Sequence, residues 1–152
     1  MVKRWVNRTG RALLAAGISM SCALAGGSRD YRLALPDGID TARSVALVLS
    51  EVRLPRKTAV VLRARMLETV ADGTHSEIPL GSIGLLAESK NAEGAALHAA
   101  LRIDVTKALK RWRQDHPGVR EIRIRVVPYA GATPLPDLEW SAESAALAPS
   151  GD

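Results

Sequence analysis

From Ser44 onward, apolar residues recur at every second position, a spacing that predicts strands with one face toward a core. In Ser44–Leu54, Val45, Leu47, Leu49 and then Glu51 share one face, against Ala46, Val48, Ser50 and Val52 on the other. Both faces are largely apolar, which predicts a central strand buried from two sides. In Thr58–Val70, Val60, Leu62, Ala64 and Met66 point inward, and Val61, Arg63, Arg65 and Leu67 point outward. The short Pro55-Arg56-Lys57 link predicts that these two strands form a hairpin. Asp72-Gly73 predicts a tight turn into the next strand. That strand, Ile78–Leu86, is interrupted by Gly81 and Gly84, as expected for a bulge or a close backbone approach.

The period changes inside Leu97–Tyr129. Leu97, Ala99, Leu101, Ile103 and Val105 alternate with His98, Ala100, Arg102 and Asp104, predicting a half-buried strand. Val105, Ala108, Leu109 and Trp112 then follow helical spacing, with Lys107, Lys110, Arg111 and Arg113 on the wet side. Asp104 or Thr106 is placed to cap this helix, and His116-Pro117-Gly118 to end it. Period two resumes at Ile122, Ile124 and Val126, with Arg123 and Arg125 between them, until Pro128. Trp112 is predicted to be the buried anchor of this strand–helix–strand unit.

Tyr31–Pro36 predicts a short first strand and Leu138–Ala142 a last, edge-like one. About seven strands and one short helix, without alternation of helix and strand, predict an all-β fold: an antiparallel β-sandwich of jelly-roll or immunoglobulin-like type. The expected division is an export signal over 1–25, a leader with a short strand over 26–43, the sandwich over 44–142 and a flexible tail over 143–152.

Composition adds an address. The chain has 152 residues and a formal charge of +5. Lys3, Arg4, Arg8 and Arg11 carry four of those five charges, because residues 1–25 contain no Asp or Glu. The remaining domain is close to neutral, which argues against nucleic-acid binding. A basic start, an Ala-rich apolar centre and the small residues Ala23 and Ala25 before Gly26 predict a signal peptide cut after Ala25, with a periplasmic or secreted product. The apolar stretch is too short to span a bilayer. Cys22, the single cysteine, lies inside this segment; Ser19 stands where lipoprotein signals usually carry Leu, so the expected product has no lipid anchor at Cys22 and no thiol.

Candidate chemistry is sparse. His75, His98 and His116 are too far apart in sequence for a paired metal motif, and each is expected to be an exposed histidine. Gly81-Ser82-Ile83-Gly84 lacks the spacing of a nucleophile elbow. Glu51, Asp104 and Glu121 are carboxylates whose convergence the sequence does not reveal. No catalytic, cofactor or metal residue is therefore assigned. The pairs Arg63/Arg65 and Arg123/Arg125 would form a basic stripe if their strands are neighbours. That stripe is either a solvated face offset by Glu68, Glu77 or Glu121, or a docking surface for an acidic partner or anionic glycan.

The segments GSIGLLA at Gly81–Ala87, LRIDVTKAL at Leu101–Leu109 and IRIRVVPY at Ile122–Tyr129 resemble, in that order, the C-terminal β-sandwich domain of the tyrosinase and polyphenol oxidase family. The resemblance covers Ser44 to Tyr129. The Lys-Phe-Asp-Val signature of the plant members is missing, with Val61-Leu62-Arg63-Ala64 near its place. The dicopper domain is missing too, and three histidines are too few for a type-3 copper site. The resemblance implies an accessory role without enzyme activity or cofactor, in which the sandwich shields a separately encoded type-3 copper oxidase. The run Asp104-Val105-Thr106 followed by a helix bearing Trp112 also resembles jelly-roll surface and propeptide-like domains, which implies the alternative of a glycan- or envelope-binding module.

Overall fold

A computed structural model describes residues 22–23 and 27–150. Ala25 and Gly26 of the expected cleavage site, and the segment up to residue 21, lie outside the described residues. The chain forms β1 (Cys22–Ala23), β2 (Arg29–Ala34), β3 (Ser44–Pro55), β4 (Val60–Thr69), β5 (His75–Leu85), β6 (Ala95–Asp104), α1 (Thr106–Asp115), β7 (Glu121–Ala130), β8 (Thr133–Pro134) and β9 (Ser144–Ser150). All strand pairs are antiparallel. One sheet runs β1-β2-β7-β4-β5, with β8 beside the end of β7; the other runs β6-β3-β9. The two pack face to face around one core, so the fold is an all-β sandwich with a short helix before a late strand.

The inward rows follow the alternation closely in the larger sheet. Tyr31 and Leu33 of β2, Val60, Leu62, Ala64 and Met66 of β4, and Ile122, Ile124 and Val126 of β7 are all buried. Opposite them stand Val45, Leu47, Leu49, Val52 and Leu54 of β3 with Leu101 and Ile103 of β6. α1 carries the chain from β6 in one sheet to β7 in the other, so it closes an end of the sandwich. Val105, Leu109 and Trp112 enter the core there, Trp112 being 9% exposed. No helix among the described residues is long and apolar enough to cross a membrane.

The Asp72-Gly73 turn joins β4 to β5 as expected. Gly73 takes a φ of 82°, and the Asp72 carboxylate accepts the Thr74 amide at 2.8 Å. These bonds to Thr74 lower the Asp72 pKa. In β5 the register against β4 slips between the Ala64–Gly81 and Arg65–Pro79 pairs, leaving Leu80 as the extra, bulged residue. Gly81 is the close approach: a Cβ there would collide with the Asp104 carbonyl, whereas Gly84 has open space. At the start of α1, Asp104 accepts the Thr106 amide at 2.9 Å, while the N-cap position itself is Val105 and has no side-chain cap. Hydrogen bonds from the Thr106 hydroxyl and amide hold the Asp104 carboxyl below its usual range.

Several expectations fail for identifiable reasons. β3 and β4 are not a hairpin. β3 has β6 on one side and β9 on the other, so its backbone groups are occupied and the chain after Pro55 crosses to the opposite layer. Glu51 does not continue the Val45–Leu49 face. It adopts a φ of 49°, and the buried positions switch from Val45, Leu47 and Leu49 to Val52 and Leu54. Pairing with β6 stays in register from Ser50–Ala100 to Val52–His98, so β6 inverts as well. Ala96 is therefore buried, Leu97 is 52% exposed and Ala99 is exposed. β7 runs through Pro128 because the Pro128 carbonyl, accepting Leu135 N–H at 2.9 Å, points away from β4. The missing Pro128 N–H would point the same way and interrupts no β4 ladder bond.

The flanks also belong to the sandwich. β2, within the expected leader, pairs along β7 from Arg29–Val126 to Ala34–Glu121. The last strand is not Leu138–Ala142, which is a loop bridged to β3 at Arg53–Ser141. It is β9, within the expected flexible tail, paired with β3 from Ser44–Ser150 to Ser50–Ser144. Ala145 and Leu147 of β9 are buried. Their alternation with other alanines is nearly invisible in hydropathy. Trp140 is buried as a loop anchor instead, its indole N–H donating to the carbonyl of Gly27.

Candidate functional site

The outward positions of β4 and β7 carry the arginines singled out in the sequence, and strand pairing decides what they meet. Arg65 stands directly opposite Arg125, a like-charge pair that needs compensation. Carboxylates from the two flanking strands provide it. On the β2 side, Asp30 pairs with Arg125 in register and accepts two guanidinium bonds, at 2.7 Å and 2.9 Å. On the β5 side, Glu77 accepts from Arg65 at 2.7 Å and from Arg125 at 3.3 Å. The bonds to Glu77 and Asp30 raise the already high pKa values of Arg65 and Arg125 respectively. Two-oxygen recognition of this kind fixes orientation as well as charge.

The line continues through Tyr129, which is buried on the outer face beneath two arginines. Arg65 donates to the Tyr129 hydroxyl at 2.8 Å. Arg63 lies over the ring, 4.2 Å from its centroid, and donates to the Gly131 carbonyl at 2.9 Å. Asp30, Arg125, Glu77, Arg65, Tyr129 and Arg63 thus form one continuous row across four strands. Arg123 faces outward on β7 but stands apart, opposite Arg32, and makes no ion pair among the described residues. Arg32 itself meets Glu121 at 3.4 Å in an exposed pair. The sequence identified the four arginines and Glu77; it did not identify Asp30 or Tyr129. The outward parity of Tyr129 on β7 was a usable signal, but the pairing of β2 with β7 was not.

A second cluster lies at the C-terminal end of α1. The Trp112 indole N–H donates to Glu68 of β4. His116 stacks on Trp112 at 4.5 Å between ring centroids and 11° between planes. Its Nδ1 lies 2.9 Å from the Trp112 carbonyl and its Nε2 3.6 Å from Glu68. His116 is therefore half-buried and partnered rather than exposed, and its spacing of four from Trp112 was the signal for it. Two clefts flank the cluster. One, of about 440 Å³, includes Arg32, Thr69, Glu121 and Arg123 in its walls. The other, of about 600 Å³, lies between α1 and β5 and is lined by Ile78, Pro79, Leu80, Lys107, Ala108 and Arg111 with the cluster at its end.

Among the described residues, no group of three or more His, Cys, Asp or Glu converges as metal ligands. Of the three carboxylates noted in the sequence, these clefts contain only Glu121; Asp104 is occupied at the start of α1 and Glu51 lies within β3. Ser82 is an exposed β5 residue opposite Arg63, not a strand-to-helix elbow. No protein-family model matches the chain, and no curated protein is significantly similar to it.

Proposed function

We propose that this chain is an exported, non-enzymatic accessory protein that docks on and shields a partner through the outer face of its larger sheet, the partner being a separately encoded type-3 copper oxidase. The observation that carries this reading is the row built around Tyr129. Side chains already held by Asp30, Glu77 and the Tyr129 ring lose little further freedom on docking, and Arg and Tyr are residue types that concentrate binding energy. Five arginines on this face, Arg32, Arg63, Arg65, Arg123 and Arg125, stand with three carboxylates, Asp30, Glu77 and Glu121. The excess of positive charge selects an acidic surface. Export follows from residues 1–25. A cut after Ala25 removes β1 but keeps Gly27, whose carbonyl accepts from Trp140 and whose amide donates to Pro136.

The test uses the protein secreted with its own signal and a tyrosinase-type copper domain that lacks a sandwich. The expected product begins at Gly26 without lipid. It binds the copper domain saturably and slows diphenol oxidation. Arg63→Glu with Arg123→Glu, neither of which removes a carboxylate partner, weakens binding at least about tenfold, equivalent to ~1.4 kcal/mol. Binding that is absent, or indifferent to this double change, overturns the reading. Preferential binding of sulfated glycans, lost in the same variant, replaces it with the envelope-binding alternative.

A further inference from the structure

We infer that the cleft between α1 and β5 is a second docking site, which takes an extended acidic segment of a partner protein and seats one apolar side chain from it. The cleft combines an apolar wall from Ile78, Leu80 and Ala108 with a cationic rim from Lys107 and Arg111. Lys107 and Arg111 are four residues apart and so stand on one side of α1. Neither makes an ion pair among the described residues, whereas Arg113 on the same helix is held by Asp40 at 3.0 Å. No acidic residue lies in the first turn of α1 itself; the Asp104 carboxylate just before it is taken up by the Thr106 amide and hydroxyl. Both cations keep donor capacity for an acidic ligand.

The shape of β5 sets how such a segment lies. β5 is the edge of its sheet, but Pro79 has no N–H and Leu80 is bulged, so an incoming chain finds no regular ladder to extend. It is held instead by side chains, with an apolar group in the cleft and carboxylates on Lys107 and Arg111. Asp115 at the opposite end of the cleft repels those carboxylates and gives the segment a direction. Glu68, held by Trp112 and His116 at that same end, adds to the repulsion. The apolar face of α1 is turned into the core, so the helix has none to insert into a lipid surface.

The inference is independent of the Tyr129 row, and the experiment separates the two. A short fluorescent peptide of Asp and Glu with one central Leu is titrated onto the full chain, with anisotropy and tryptophan emission recorded, since Trp112 borders the cleft. Saturable binding is expected, weakening steeply with added salt. Lys107→Glu with Arg111→Glu should weaken it about tenfold or more, while Arg63→Glu with Arg123→Glu leaves it unchanged. Ala108→Arg, which fills the cleft without reversing charge, should also abolish it, with circular dichroism confirming that each variant is folded. Replacing the peptide's Leu by Ser should weaken binding clearly. The inference is overturned by absent binding, by equal binding in the charge-reversed variant, by indifference to the Leu, or by binding of anionic phospholipid vesicles in place of the peptide.

Discussion

The outer face of the larger sheet and the wet face of α1 carry the same kind of residue in opposite circumstances. On the sheet, Arg65 and Arg125 are consumed by Asp30 and Glu77, carboxylates delivered by the strands on either side. On the helix, Lys107 and Arg111 make no ion pair among the described residues, although Asp104 precedes Lys107 by three positions and Asp115 follows Arg111 by four. A strand presents each outward side chain to two neighbouring strands, so a charge finds a partner by lateral pairing. A helix lying across the end of a sandwich offers its outer face chiefly residues three and four positions away along itself, the Arg113–Asp40 pair being one that reaches beyond it. Paired charges make a rigid surface, and unpaired charges make a reactive one.

Removing the wedge beneath the helix breaks this comparison most severely. Trp112→Ala should cost about 3–5 kcal/mol in chemical denaturation, because the indole fills the joint between α1, β4 and β5 and also satisfies Glu68. Protection of α1 amides from hydrogen exchange should fall while the β2–β7–β4 ladder remains. Equal loss in both regions would show that the two are one cooperative unit.

A matched pair of changes sharpens the contrast. Asp30→Ala leaves the Arg125 guanidinium, 29% exposed, without its two-oxygen partner, and should cost about 1–3 kcal/mol. Lys107→Ala removes a charge that makes no ion pair among the described residues and should change stability by less than about 0.5 kcal/mol. Denaturation midpoints of the two variants measure the difference directly, and equal effects would deny that the sheet charges are the structural ones.

Loss of a single hydroxyl tests the inner side of β2, one residue from Asp30. Tyr31 is 2% exposed and its hydroxyl has no hydrogen-bond partner among the described residues. Burial pushes its pKa up to about 12 from an ordinary 10.0, with Arg29 opposing slightly. The folded value lies above the unfolded one, so the neutral hydroxyl's contribution is complete below pH ~10 and is lost as pH rises toward about 12. Tyr31→Phe should raise stability by about 1–2 kcal/mol at neutral pH and flatten the decline above pH ~10, read from thermal melts across that range.

How much of this was legible in the chain depended on hydropathic contrast. β4 and β7 alternate Val, Leu or Ile with Arg, so their faces, the outward arginines and Trp112 as anchor could be read residue by residue. β9 alternates alanine with alanine and leucine, and its contrast is too weak to mark a strand. The inversion at Glu51 was hidden for another reason: a positive φ at a single non-glycine residue leaves no trace in a hydropathy pattern.

The sequence by itself determined that the fold is an antiparallel sandwich with one short helix before a late strand, because side-chain parity along a strand and helical spacing are local properties. Only the tertiary structure decided which strands are neighbours, and hence that Asp30 meets Arg125, that Tyr129 lies beneath Arg63 and that Glu68 meets Trp112 and His116. Those meetings join residues far apart in the chain. They depend on which backbone edges remain free after other strands have paired: β3 could not pair with β4 once β6 and β9 had taken both of its sides.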